Sequence, residues 1–152
     1  MRVTAETAPI YRTLWLIAAM GILGFSWFLN GPIYDEGHYL QNTVRFATGE
    51  SNWWEFSTHR GPTGPGYAWV HAVLWRIYPS MTLLRVSNAF LVISSSVMIA
   101  GCEKFDWKAA AILLVFPGIW VSSSLALTEA ISIFLISAGM FVFSRRQNQS
   151  YS

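Results

Sequence analysis

From Ala109 to Ser144 the chain carries a single charged residue, Glu129, and that stretch is too long for any one element. As one helix it would extend roughly 54 Å, far beyond the hydrocarbon core of a bilayer at about 30 Å. It must therefore reverse, giving two helices over 109–121 and 126–144. The turn signals Pro117-Gly118 and Ser122-Ser123-Ser124 put Glu129 beside the reversal.

Two further stretches have the same character. Thr13 to Tyr34 contains no charge, and Leu14 to Leu29 is almost wholly apolar before Asn30-Gly31-Pro32 breaks the run. Met81 to Gly101 contains only Arg85, near its start. These predict spans over 13–30 and 83–101. Composition agrees, since 12% of residues are charged and 53% hydrophobic, against about 25% charged in soluble domains. The expected fold is an all-α integral membrane protein with about four transmembrane helices. Eight tryptophans in 152 residues also suit a chain with much of its length near a lipid–water boundary. Arg2 and Arg12 precede the first helix, and no clear small-residue cleavage site follows it, so a retained anchor is expected.

Gly66 to Tyr78 is apolar but short, and it carries His71 and Arg76. The Lys/Arg distribution decides whether it spans, because short cytoplasmic loops are enriched in those residues. With four spans, Arg2, Arg12, Lys104, Lys108, Arg145 and Arg146 share the cytoplasmic side; a fifth would move Lys104 and Lys108 outside. Residues 66–78 are therefore expected to lie in the outer interface, with Tyr67, Val70, Leu74 and Ile77 on one face. Residues 31–82 then form a long external loop, both termini are cytoplasmic, and a multi-pass protein of a bacterial inner membrane is expected. Trp53, Trp54, Trp69 and Trp75 read as an interfacial belt.

The excluded classes are few and clear. A net charge of +2 is too small and dispersed for a nucleic-acid partner. Cys102, the only cysteine, has no internal disulfide partner. The histidines and carboxylates do not form a zinc signature. His59-Arg60-Gly61-Pro62-Thr63-Gly64-Pro65-Gly66 lacks the spacing and ending of a P-loop.

The topology puts Asp35, Glu36, His59, Arg60 and Glu129 on one side of the membrane. Asp35 suits the cap of a following short helix, whose apolar positions are Tyr39, Leu40, Val44 and Ala47, and Glu36 suits its first turn. Equally, one carboxylate could take a proton from an attacking hydroxyl while its neighbour orients it or binds a metal. Glu129 is an acid in an otherwise uncharged stretch, a costly position that marks a candidate functional group unless headgroup water reaches it. Arg60, in its glycine- and proline-rich turn, could hold a phosphate oxygen bidentately or simply meet anionic headgroups. His38 and His71 fit structural or interfacial roles.

The serial order of motifs resembles a known superfamily. Tyr34-Asp35-Glu36-x-x-Tyr39 follows the first span, then Gly49-x-x-x-Trp53, then Arg60-Gly-Pro-x-Gly-Pro-x-Tyr67. Leu84-Arg85-Val86-Ser87-Asn88-Ala89 heads the second span, and Phe116-Pro117 and Ala126-Leu127-Thr128-Glu129 come later. The chain resembles the N-terminal part of the C-type glycosyltransferases, the superfamily of protein O-mannosyltransferases and lipid A aminoarabinose transferases. The resemblance implies transfer of a sugar from a polyprenyl-phosphate carrier to an acceptor hydroxyl on the outer face, with inversion. It implies Asp35 as base or acceptor-positioning acid with Glu36 as companion, Arg60, His59 and Tyr39 as substrate-binding residues, and Glu129, with Asp35, as ligand to a divalent ion such as Mg or Mn. Members of the superfamily have many more spans, so an incomplete module, or one completed by a second chain, is expected. The competing reading is a small non-catalytic membrane protein or assembly subunit whose acids only cap and pack helices.

Overall fold

The computed structural model describes residues 7–33, 36–52, 54, 65–102, 106–125 and 128–150. These form α1 (Ala8–Phe28), α2 (Glu36–Thr48), α3 (Pro65–Ile77), α4 (Met81–Ala100), α5 (Trp107–Val115), α6 (Pro117–Ser124) and α7 (Glu129–Ser150), with no strand among them. The all-helical expectation holds for the described residues. Two helices, α1 and α4, are long and apolar enough to cross a membrane. α5 and α6 have nine and eight residues, so each rises only about 12–14 Å.

α4 is the central post of the bundle, touching α1, α3, α5, α6 and α7. Its buried face is Leu84, Arg85, Asn88, Ala89, Val92, Ser95, Ser96 and Ala100, of which the alanines and serines are small enough to admit close helix approach. The Trp15 indole of α1 donates to Ser96 Oγ at 2.9 Å, while the far end of α1 reaches Arg85 through the Leu29 carbonyl. α1 and α4 are thus antiparallel. Asn88 meets the Leu125 carbonyl and Gly101 meets Phe141, so α4 and α7 run parallel. Trp107 packs edge-on against Trp15 and Trp120 against Gly21, so α5 and α6 together climb beside α1. The order is up, down, up, down. α2 and α3 cross the upper end.

Three boundaries differ from the sequence expectation. Pro117 marks a kink and not the reversal: Phe116 is extended between α5 and α6, and Pro117 opens α6, where its missing N–H costs nothing. The turn itself falls after Ser124, leaving Glu129 in the first turn of α7. α7 also continues past the expected boundary at 144, through Arg145 and Arg146 to Ser150. In α3 the inward face is Tyr67, Ala68, His71 and Ala72, whereas Val70 and Ile77 are exposed. The inward face is set by two alanines that allow close packing and by His71, which has a polar partner inside.

Glycine with positive φ appears at two turns, Gly31 (φ 71°) between α1 and α2 and Gly49 (φ 81°) after α2. The bundle exterior is apolar, with Ile17, Met20, Phe25, Ile112, Val115, Leu135, Ile136 and Phe143 among its exposed side chains.

Candidate functional site

The chain is most polar in its interior where α1 ends and α2, α3, α4 and α7 converge. Glu36, the first residue of α2, is completely buried, and so is Arg85, four residues into α4. Their pairing is bidentate: Arg85 Nε donates to Oε1 at 2.9 Å and Nη2 to Oε2 at 2.6 Å. The guanidinium then donates to the carbonyls of Leu29, at 2.8 Å, and Gly31. The Ile33 amide donates to Glu36 Oε2 at 2.8 Å, and the Glu36 amide returns a bond to the Ile33 carbonyl. A buried pair of ions is tolerable only when its remaining donors and lone pairs are satisfied, as they are here. The effect is a clamp joining the end of α1, the turn at 29–33 and the start of α2. Among the described residues this is the one ion pair.

Tyr67 of α3 packs into the same end of the bundle. Its ring packs edge-on against Tyr39, with centroids 5.5 Å apart, and against His71 at 4.0 Å, and Ile131 of α7 closes the cluster. Burial first, then the charge of Glu36, the neighbouring Tyr39 and the charge of Glu129, push the Tyr67 hydroxyl well above its ordinary pKa. Tyr67 therefore senses both glutamates, and the ends of α2 and α7 share one neighbourhood. Glu129 is exposed there, in a first turn where the helix dipole favours an acid.

His71 is buried behind Tyr67. Its Nε2 lies 3.1 Å from Asn88 Oδ1, and Asn88 Nδ2 donates to the Leu125 carbonyl at 2.9 Å. That second bond fixes the amide orientation, so Oδ1 faces the imidazole and Nε2 carries its proton. Burial lowers the His71 pKa to about 4, against the opposing effect of the Asn88 bond. His71 is neutral at pH 7.

Of the residues singled out in the sequence, Glu36, Tyr39 and Glu129 come together at this end. Asp35, which directly precedes Glu36, and His59 and Arg60 lie outside the described residues. Tyr39 is packed in the aromatic core, and His38 is exposed, 3.4 Å from Asn42. The described residues contain no group of three potential metal ligands. Glu36 has both oxygens engaged by Arg85, which leaves Glu129 as the exposed carboxylate suited to a hard cation.

Arg85, Asn88 and Tyr67 are named in the sequence only as parts of motifs and of helix faces, with no role at the site. Arg85 carried the needed signal: a lone cation in an apolar stretch demands an acid, by the argument applied to Glu129. No family model, curated protein or solved structure matches the chain.

Proposed function

We propose that this chain is the N-terminal module of a membrane glycosyltransferase that moves a sugar from a polyprenyl-phosphate carrier to an acceptor hydroxyl at the outer face. The observation that carries the reading is the Arg85–Glu36 clamp, which fixes the backbone next to Asp35 at the mouth of a helical bundle with an apolar exterior. An acid dipeptide used only to cap α2 would not need a buried arginine that also gathers two carbonyls of the preceding turn.

In this reading the bundle crosses the membrane four times, with α5 and α6 together making the third pass. Arg12, Lys108, Arg145 and Arg146 lie at the end away from the site, as the cytoplasmic bias of Lys and Arg requires. α3 lies in the outer interface, with Trp69, Val73 and Ile77 exposed toward lipid. The bacterial inner membrane fits a polyprenyl-phosphate donor.

The roles divide by environment. Glu36 is held by Arg85 and orients, while Asp35 is the base. The acceptor oxygen attacks the anomeric carbon, its proton passes to the Asp35 carboxylate, and the carbon–oxygen bond to the carrier phosphate breaks with inversion. Arg60, with His59, neutralises the departing phosphate, the electrostatic contribution that dominates such transfers. Tyr39 seats Tyr67 and, through it, α3. Glu129, with Asp35, offers oxygen ligands to a divalent ion such as Mg or Mn, whose chemistry would be further neutralisation of phosphate. Helices beyond those described here, from the same or a second chain, would complete the carrier groove.

The test is transfer from a panel of polyprenyl-phosphate sugars, read by mass spectrometry of the acceptor in membranes containing the complete enzyme. Asp35→Asn and Glu129→Gln should abolish transfer at unchanged abundance, and turnover retained in both would refute the assignment. Absence of transfer from every carrier, with Asp35→Asn and Glu129→Gln lowering stability alone, would favour the non-catalytic assembly subunit.

A further inference from the structure

His71, Asn88 and the Leu125 carbonyl form a second buried polar chain that the transfer scheme does not use. Asn88 lies one helical turn beyond Arg85 on α4, so the two side chains project from the same face. Arg85 gathers the segment before Asp35, and Asn88 gathers two others. One is α3, which follows His59 and Arg60 in the sequence. The other is the α6–α7 turn, where Leu125 stands four residues before Glu129 and is itself buried.

We propose that His71 and Asn88 form a latch that docks α3 and the α6–α7 turn onto α4, so that His71 is a positioning residue for the start of α7, which bears Glu129. The part of this inference that concerns Glu129 rests on the glycosyl-transfer reading; the latch itself does not. Three observations carry it. Both hydrogen bonds are buried and of good length, 3.1 and 2.9 Å. The donor pattern is fixed in one direction, from Nε2 to Oδ1 and from Nδ2 to the carbonyl. His71 Nδ1 is buried with no partner, as is Thr43 Oγ1 on the facing helix α2. The hydrogen bonding of the buried imidazole is thus carried by Nε2.

The two nitrogens can be separated by substitution. His71→Gln keeps a donor at the Nε2 position and removes Nδ1, whereas His71→Asn is too short to reach Asn88. Asn88→Asp keeps the acceptor for His71 but sets a carboxylate against the Leu125 carbonyl. The probe is a cysteine at Leu125, in a Cys102→Ser background of the full chain in membranes, labelled with a maleimide. The latch predicts slow labelling in the parent and in His71→Gln. His71→Asn and Asn88→Asp should label about tenfold faster, which corresponds to about 1.4 kcal/mol easier opening. Parent-rate labelling in His71→Asn, or equal acceleration by His71→Gln, would overturn the latch.

Kinetics then test the functional half without the Leu125 cysteine. If the complete enzyme transfers sugar, His71→Asn should lower kcat/KM about tenfold, and His71→Gln should restore it. A fall in kcat common to both variants would instead assign a chemical role to Nδ1 and overturn the positioning role. If the parent protein transfers no sugar from any carrier, the glycosyl-transfer reading fails, and the labelling result still decides the latch.

Discussion

The two ends of the bundle handle charge in opposite ways. At the site end Glu36 and Arg85 are fully buried and satisfied by each other and by backbone. At the other end Arg12 and Arg145 stay exposed and lie over aromatic rings, Arg12 at 5.9 Å from Trp107 and Arg145 at 5.1 Å from Phe141. An exposed cation–π contact holds a side chain at little desolvation cost and little gain. A buried ion pair has a large desolvation cost and is recovered only by exact mutual geometry. The difference teaches where structural precision is concentrated: the basic end needs only to be charged, whereas the site end needs specific atoms in specific places.

The contrast is most open to attack at Arg85. Arg85→Ala leaves the Glu36 carboxylate buried and unpaired, and should cost about 3–5 kcal/mol in denaturant unfolding of the detergent-solubilised protein. A loss no larger than that of Arg12→Ala would erase the distinction between the ends.

The next effect is one of pH. The His71 pKa falls from 6.5 to about 4 on folding, so above 6.5 its neutral form costs nothing in either state. As pH drops from 6.5 toward 4 the unfolded chain binds a proton that the native state refuses. The resulting loss of stability approaches about 3 kcal/mol. Tyr67 and Asn88 are in contact with this imidazole, and the slope assigned to His71 is the part that His71→Gln removes. An identical pH profile in that variant would exclude His71 as its source.

Packing between the ends should give a smaller effect. A Cβ on Gly21 would lie 2.5 Å from the Trp120 ring, so Gly21→Ala should destabilise by about 1–3 kcal/mol through overpacking. The smallest effect belongs to the basic end, where Arg12→Ala and Arg145→Ala should each cost about 0.5–1 kcal/mol. Topology sharpens the comparison further. With Cys102→Ser, a cysteine at Glu129 should react with an impermeant maleimide from outside and one at Arg145 only after permeabilisation; the reverse pattern would overturn the orientation.

Much of the architecture was legible because apolar length is a strong constraint. The stretch containing Glu129 had to reverse, and it does so immediately before that residue. The short helix after the acid pair appears as α2, with Tyr39 inside as its spacing implied. Less legible was everything decided by a partner distant in sequence. Glu36 and Arg85 are 49 residues apart, and local reading offered Glu36 only a place in a helix dipole. His71 looked structural, which its burial supports, but neither its Asn88 partner nor the rotated face of α3 could be read from apolar periodicity. Pro117-Gly118 reads as a signal of the reversal, yet a proline at the first position of a helix can start a new segment in nearly the same direction, as it does at α6.

The central claim is that Arg85 and Glu36 act as one unit bracing the turn before α2. A double-mutant cycle with Glu36→Gln and Arg85→Met measures this directly through unfolding free energies. The account predicts that each single change is strongly destabilising and that the double variant recovers at least about 1.5 kcal/mol relative to their sum. Additivity within about 0.5 kcal/mol would contradict it, because independent sites behave that way.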